Sequence, residues 1–220
     1  MLSPELPFFN DPEGRGLPAG ISCVIDSHVH VFPDAVFGAV RKWFDVHAWQ
    51  IRYRDTSDNL IRFLLDRGVA HVVALQYAHK PGIARELNEY MAGLCRADKV
   101  AGVLTRFPDL MFCVPHLGFD EISAYQSLMA AHDNLWLDTA MVLTDYFPAH
   151  TRPDIRGFPL DRVMYGSDFP NIPYAWDREL KWLANAGFSE LELAGLTWQN
   201  AQRFFDFANV KQDGIFLSGS

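Results

Sequence analysis

The sequence is poor in three features that mark common classes of protein: cysteine pairs, basic runs and long apolar stretches. Its 220 residues include three cysteines, Cys23, Cys95 and Cys113, with no Cys-x-x-Cys spacing among them. Neither a disulfide framework nor a structural zinc knuckle is therefore expected. This cysteine usage is typical of a reducing compartment, and we expect a cytoplasmic location.

Positive charge is also scarce, since 19 Lys and Arg stand against 27 Asp and Glu, for a formal net charge of −8. No basic run is present, so we expect no nucleic-acid partner and no binding to a membrane surface. The start of the chain has neither a basic region nor a long apolar stretch, so no signal peptide or membrane span is expected. The partner that we expect is a small-molecule substrate.

Apolar residues make up 49% of the chain, which is enough for the core of one sizeable domain over residues 1–220. Apolar strands alternate with segments of helical spacing, a pattern typical of a parallel α/β sheet. One such helix begins at Thr56 or Ser57 and ends at Gly68. The predicted strands cover residues 23–32, 69–77, 111–116, 135–142 and 163–168.

The first strand carries an acid and two histidines, each two residues apart: Asp26, His28 and His30. Alternate side chains of a strand point to opposite faces, so all three are expected on the same face. Two imidazoles side by side on a rigid strand are suitable ligands for a borderline metal such as zinc. We expect Asp26 to orient a ligand histidine through a hydrogen bond.

Two further strands end in residues suited to metal chemistry, His116 and Asp168. In parallel α/β sheets, ligands bind at the carboxyl ends of the strands, where these side chains would meet. Two imidazoles and the Asp168 carboxylate would hold one divalent metal, which we expect to be Zn²⁺, and leave a position for water. Asp168 would then take a proton from that water, and His116 would polarise the substrate or position the water.

Each motif also has a structural explanation. A His-x-His pair is common outside metal sites, His116 could simply close a strand, and Asp168 could cap a turn. Three further residues follow predicted strands and could reach the substrate: His79, Tyr174 and Trp176. The alternatives are an exposed loop for His79 and core packing for the two aromatic residues. Asp138 could support a metal ligand or be a simple turn residue.

In combination, four short segments resemble the amidohydrolase-related family, specifically the branch that includes aminocarboxymuconate-semialdehyde decarboxylase. The segments are Ile25-Asp26-Ser27-His28-Val29-His30, Val114-Pro115-His116-Leu117-Gly118, Tyr165-Gly166-Ser167-Asp168-Phe169-Pro170 and Asn200-Ala201. The resemblance implies a TIM barrel with a single divalent metal, usually zinc. It also implies that His28 and His30 are metal ligands, that Asp168 is a ligand or base, and that His116 is catalytic.

The chain departs from the family in the middle of the barrel. An internal deletion near 95–100 removes about three βα units, on the order of 70–90 residues. We therefore expect an incomplete (β/α)8 TIM-type barrel of about five parallel strands, equivalent to barrel strands 1, 2, 6, 7 and 8. Strand 8 neighbours strand 1 in a closed barrel, so these five form one arc. The two outer strands would be open edges, and we expect a marginally stable chain or a homo-oligomer formed through those edges.

Three functions are compatible with these residues. The first is a metal-dependent hydrolase that opens a small-molecule amide, ester or lactone through a metal-bound water. The second is a metal-dependent carboxy-lyase, a decarboxylase of a small aromatic or enoic acid. The third is a catalytically impaired, truncated remnant that binds a ligand or a partner.

Overall fold

The computed structural model describes residues 9–32, 34–75, 111–146 and 152–206. The predicted deletion near 95–100 and His79 lie outside these ranges. The strands are β1 (Val24–His30), β2 (Val69–Leu75), β3 (Phe112–Val114), β4 (Leu135–Asp138) and β5 (Val163–Met164). The helices are α1 (Asp34–His47), α2 (Ser57–Leu65), α3 (Ile122–Ala131), α4 (Arg178–Asn185), α5 (Glu190–Ala194) and α6 (Asn200–Phe204).

Helix boundaries follow local capping chemistry. Thr56 is the N-cap of α2 and its hydroxyl accepts a hydrogen bond from the Asn59 backbone N–H at 3.3 Å. Helix α5 begins with a capping box in which Ser189 and Glu192 satisfy each other's backbone N–H groups. Helix α2 then buries Leu60 and Leu64, which lie on one face because they are four residues apart.

The described strands are parallel and follow one another as a curved arc. β1 pairs with β2, and β4 lies between β3 and β5. Residues 165–169, directly after β5, join the two sheets through backbone hydrogen bonds with β1. Asp168 N–H donates to His28 C=O at 2.9 Å, and His30 N–H donates to Phe169 C=O at 2.7 Å. The end of the last described strand therefore lies beside the first, as expected for an incomplete barrel.

Three predicted elements are shorter in the structure than the sequence pattern indicated. The strand predicted over 135–142 ends at Asp138, because Met141 has φ 61° and the chain turns there. The strand predicted over 163–168 pairs with β4 only as far as Met164; residues 165–169 bond to β1 instead, and Asp168 has φ 62°. The helix expected from Phe119 begins only at Ile122, after a kinked 3-10 segment with several positive φ angles.

The larger core cluster joins buried residues of the strands and of the helices, among them Val24, Leu64 and Leu180. Its largest fully buried side chains include Tyr125, Phe169, Tyr174 and Trp176. Within the described ranges, no strand pairs with the outer edge of β2 or of β3. None of the helices in these ranges has the length and apolar character needed to cross a bilayer.

Candidate metal centre

Two strand ends bring Asp168 against both histidines of β1. Asp168 Oδ1 lies 2.8 Å from His30 Nε2 and 3.4 Å from His28 Nε2. The two imidazole rings meet edge to face, with centroids 5.0 Å apart. All three side chains are largely buried. The first and last described strands of the arc therefore place two imidazoles and one carboxylate at a single point, although the residues are about 140 positions apart in the sequence.

The carboxylate of Asp138, at the end of β4, fixes the orientation of His28. Its Oδ2 accepts a hydrogen bond from His28 Nδ1 at 2.9 Å. Its Oδ1 accepts from the backbone N–H groups of His116 at 2.9 Å and of Ala140 at 3.1 Å. Such a partner sets the tautomer of a histidine and leaves the opposite ring nitrogen, here Nε2, available as a ligand.

His116 reaches the same point from the end of β3. Its Nδ1 donates to the carbonyl of Ala140 at 2.7 Å, so a neutral ring has its lone pair on Nε2. The His116 and His28 ring centroids are 5.2 Å apart. One ligand atom from each of His28, His116 and Asp168 lies within 4.8 Å of the other two. This group contains His116 and not His30, which the sequence placed in the ligand set, although His30 Nε2 lies 2.8 Å from Asp168 Oδ1.

Asp26 contacts the backbone of His28 rather than its ring, and the role predicted for it, to orient a ligand histidine, stays a prediction. Its Oδ1 accepts from two backbone N–H groups, those of His28 at 3.2 Å and Ser167 at 3.0 Å. Burial raises the pKa of the Asp26 carboxyl to about 7, although these hydrogen bonds act in the opposite direction. Asp26 therefore ties β1 to the segment after β5, and Asp138 provides the contact to the histidine ring.

Charges within the site are strongly coupled. Burial opposes ionisation of His28, but attraction to Asp138, Asp168 and Asp26 outweighs it and raises the pKa of His28 to about 9. Burial likewise disfavours the Asp168 carboxylate, yet His30 and His28 lower its pKa to about 2. Burial also disfavours the Asp138 carboxylate, yet its attraction to His28 and the hydrogen bond with that ring lower the pKa of Asp138. The site therefore holds ionised carboxylates opposite imidazoles that can accept a cation or a proton.

The donor set fits a divalent metal. A neutral His28 ring that donates from Nδ1 has a lone pair on Nε2, which faces Asp168 Oδ1 at 3.4 Å. Two electron-rich atoms at this separation repel each other unless a proton or a metal ion lies between them. Imidazole nitrogens with one carboxylate oxygen are a ligand set that zinc favours. These residues can therefore hold such an ion.

Close packing and strained backbone support the site. A Cβ atom on Gly166 would lie 2.8 Å from His28 Cβ, so the chain after β5 can approach β1 this closely only with glycine there. His116 and Asp168 both adopt positive φ angles, 57° and 62°. Non-glycine residues in this left-handed region are uncommon, and they concentrate at functional sites.

The two aromatic residues predicted near the substrate are both buried in the core. Tyr174 packs against Tyr146 with ring centroids 6.0 Å apart. Trp176 donates its indole N–H to the Gly14 carbonyl at 3.1 Å and meets Phe63 edge to face. These contacts are typical of packing, and a role in substrate binding stays a prediction for both residues.

Sequence reasoning missed the carbonyl of Ala140 and left Asp138 undecided between a turn residue and a partner of the site. Asp138 had a signal, because it is an acid within the apolar strand predicted over 135–142. The contact of Ala140 had no signal in the sequence, because every residue has a carbonyl group. Only the turn after β4 places this carbonyl within hydrogen-bond distance of His116.

A match to a family model identifies the protein family of this chain. The amidohydrolase family model matches residues 98–207, half of the chain. A search of curated proteins found no match. Among solved structures, amidohydrolase 2 from Bifidobacterium longum subsp. infantis is 17% identical, with a TM-score of 0.56 and coverage of 84% of this chain and 99% of that chain.

Two other solved structures align less well. An amidohydrolase from Burkholderia multivorans with bound zinc is 15% identical, with a TM-score of 0.48 and coverage of 84% of this chain and 100% of that chain. A 2,6-dihydroxybenzoate decarboxylase complexed with 2,6-dihydroxybenzoate is 9% identical, with a TM-score of 0.35 and coverage of 88% and 100%. At these TM-scores, neither supports an argument about this chain.

The chain belongs to the amidohydrolase family. With a His-His-Asp group that can hold an ion, it is a metal-dependent enzyme of the amidohydrolase type. The family match confirms the resemblance seen in the sequence, and the likeness to the Bifidobacterium structure supports an α/β fold of the TIM-barrel kind. Membership of the decarboxylase-like branch and the correspondence of the strands to particular barrel positions stay predictions.

Proposed function

We propose that the protein is a metal-dependent hydrolase of a small-molecule amide, ester or lactone. The observation that carries this proposal is the convergence of Asp168 with His28 and His30 at the carboxyl ends of parallel strands, with His116 beside them. Imidazole and carboxylate groups that share one buried point are the residues that hydrolytic metal chemistry requires.

We assign His28, His30 and Asp168 as the residues that would hold the metal, with zinc as the expected ion. When bound, such an ion lowers the pKa of a water molecule and polarises the carbonyl to be attacked. Asp138 keeps the His28 ring in the tautomer that presents Nε2 to the centre.

Asp168 has the position and charge of the general base. Its carboxylate is ionised at neutral pH, because the neighbouring histidines hold its pKa at about 2. One oxygen faces both histidines of β1, which leaves the other to accept a proton from the attacking water and to pass it to the leaving group.

The hydrogen bond from Nδ1 restricts what His116 can do. A neutral His116 that donates to Ala140 can only accept at Nε2. It can therefore hold the attacking water through that nitrogen, but it can donate to a developing oxyanion only as an imidazolium. Of the two roles predicted from the sequence, this geometry supports positioning the water.

The test is metal analysis of the purified protein combined with a substrate panel of lactones, esters and amides, in which ring opening and carbon dioxide release are followed together. Bound zinc and zinc-dependent opening of a lactone, ester or amide are expected. Carbon dioxide release without hydrolysis would identify a carboxy-lyase instead. Absence of both metal binding and turnover would identify a non-catalytic remnant.

A further inference from the structure

A buried carboxyl group outside the candidate ligand set contacts the loop behind the site. Glu179, in the first turn of α4, is 2% exposed. Its Oε1 accepts a hydrogen bond from the Leu143 backbone N–H at 2.9 Å, and the backbone of Met141 provides a second hydrogen bond. A carboxyl group is rarely so deeply buried unless its partners compensate for the lost hydration.

The loop that Glu179 contacts determines the orientation of two site histidines. It follows β4 and begins at Asp138, whose carboxylate accepts from His28 Nδ1. Two residues later, the carbonyl of Ala140 accepts from His116 Nδ1. The same short segment therefore supplies the acceptors for both rings, and a shift of the loop would move both.

The loop depends on a partner from outside itself. Residues 140, 141, 143 and 144 are buried, so their backbone groups need partners within the protein. Two internal hydrogen bonds close the turn: Val142 N–H to Thr139 C=O at 2.9 Å, and the Thr144 hydroxyl to Met141 C=O at 2.7 Å. Glu179 supplies the acceptor for Leu143 N–H, and thereby anchors the far end of the turn to α4.

We propose that Glu179 is a positioning residue for the metal centre: it holds the loop after β4 so that Asp138 and Ala140 fix the Nδ1 atoms of His28 and His116. The proposal rests on the proposed function for the role of the metal, but the orientation of the rings is a property of the metal-free chain as well. Burial raises the pKa of Glu179 well above its usual value, with Asp26 and Asp138 adding to the effect, and this shift favours the neutral form of the side chain. A glutamine can therefore replace it with little electrostatic change.

The test compares E179L, which removes the acceptor, with E179Q, which retains an oxygen acceptor. L183A is the matched control, because Leu183 is fully buried on the same helix and its apolar side chain offers the loop no hydrogen-bond acceptor, so this change lowers the stability of the fold without removing such a bond. Zinc affinity is measured by competition with a chelator. We expect E179L to lose about tenfold or more, within the range seen when a partner of a metal ligand is removed, and E179Q and L183A to stay close to the parent chain.

A second readout does not involve the metal. The ring nitrogens of His116 in metal-free, ¹⁵N-labelled protein are assigned with H116Q, and their shifts report which nitrogen holds the proton. We expect a proton fixed on Nδ1 in the parent chain, E179Q and L183A, and a mixture of tautomers in E179L. If E179L does not fold, E179M replaces it, because methionine also lacks an oxygen acceptor for Leu143 N–H and fills a similar volume.

Two results would overturn the proposal: unchanged His116 tautomers in the acceptor-free variant, or an equal loss of zinc affinity in L183A. A parent chain that binds no zinc would instead contradict the proposed function. In that case the His116 spectra alone decide whether Glu179 positions the loop.

Discussion

At the scale of single residues, side-chain alternation along β1 was sufficient to predict the centre of the site. His28 and His30 lie on one face because they are two positions apart on a strand, and both contact Asp168. The role predicted for Asp26 stays a prediction, because its hydrogen bond reaches the backbone N–H of His28 rather than a ring. Alternation gives the face of the strand, but it cannot distinguish a carboxylate that meets a ring from one that meets backbone N–H groups.

The first prediction separates the two histidines that could complete the ligand set. H30A removes a metal ligand, so zinc affinity should fall by more than about a hundredfold. Removal of a residue that only hydrogen-bonds to a ligand costs less than this. In H116A, zinc binding should persist while hydrolysis is lost. Isothermal titration of both variants measures this. The opposite pattern, with zinc lost in H116A alone, would make His116 the ligand, as its closeness to His28 and Asp168 permits.

The second prediction concerns the carboxylate behind His28. D138N keeps the shape of the side chain but removes the charge that favours the correct tautomer of the ring, so zinc affinity should fall by about tenfold. D26N is the matched control, since Asp26 contacts backbone N–H groups and no ring. Chelator competition compares the two. An equal loss in both variants would show that buried charge in general, rather than the contact to His28, supports the site.

At the scale of elements, the sequence predicted which segments form helices and strands better than where they end. The N-terminus of α2 was predictable because Thr56 or Ser57 precedes a run with helical spacing, and Thr56 is the cap. The ends of β4 and β5 were not, because apolar residues continue past them. Only the turn at Met141 and the pairing of Tyr165 to Phe169 with β1 terminate these strands, and both depend on tertiary contacts.

The third prediction tests the cap of α2. T56A removes the acceptor for Asn59 N–H and should lower the free energy of unfolding by about 1 kcal/mol. T56S retains a hydroxyl at the same place and should cost much less. Urea denaturation measures both changes. Equal stability of the two variants would mean that the hydroxyl contributes nothing and that packing of Leu60 and Leu64 alone defines the helix.

At the scale of the whole molecule, the order of strands in the arc could be predicted from the resemblance, because the last strand of a barrel closes on the first. The backbone hydrogen bonds between residues 165–169 and the residues His28 and His30 place the segment after β5 beside β1, as this closure requires. What covers the outer edges of β2 and β3 could not be predicted, because alternation and spacing describe a strand's faces and do not identify its neighbour.

The fourth prediction follows from these edges. Within the described residues no strand pairs with the outer edges of β2 and β3. An open sheet edge can pair with another copy of the chain, so we expect self-association at micromolar concentrations. Sedimentation velocity over a dilution series measures the mass. A monomer at all concentrations that also unfolds in one cooperative transition would contradict this expectation.

The fifth prediction is the most direct test of the central claim, that residues far apart in sequence share one metal ion. Equilibrium zinc titration, with the bound metal counted by mass spectrometry, is applied to the parent chain, H28A and D168A. We expect a single zinc ion per parent chain and loss of that ion in both variants. Zinc-free parent protein at saturating zinc, or full zinc occupancy in both variants, would contradict the account.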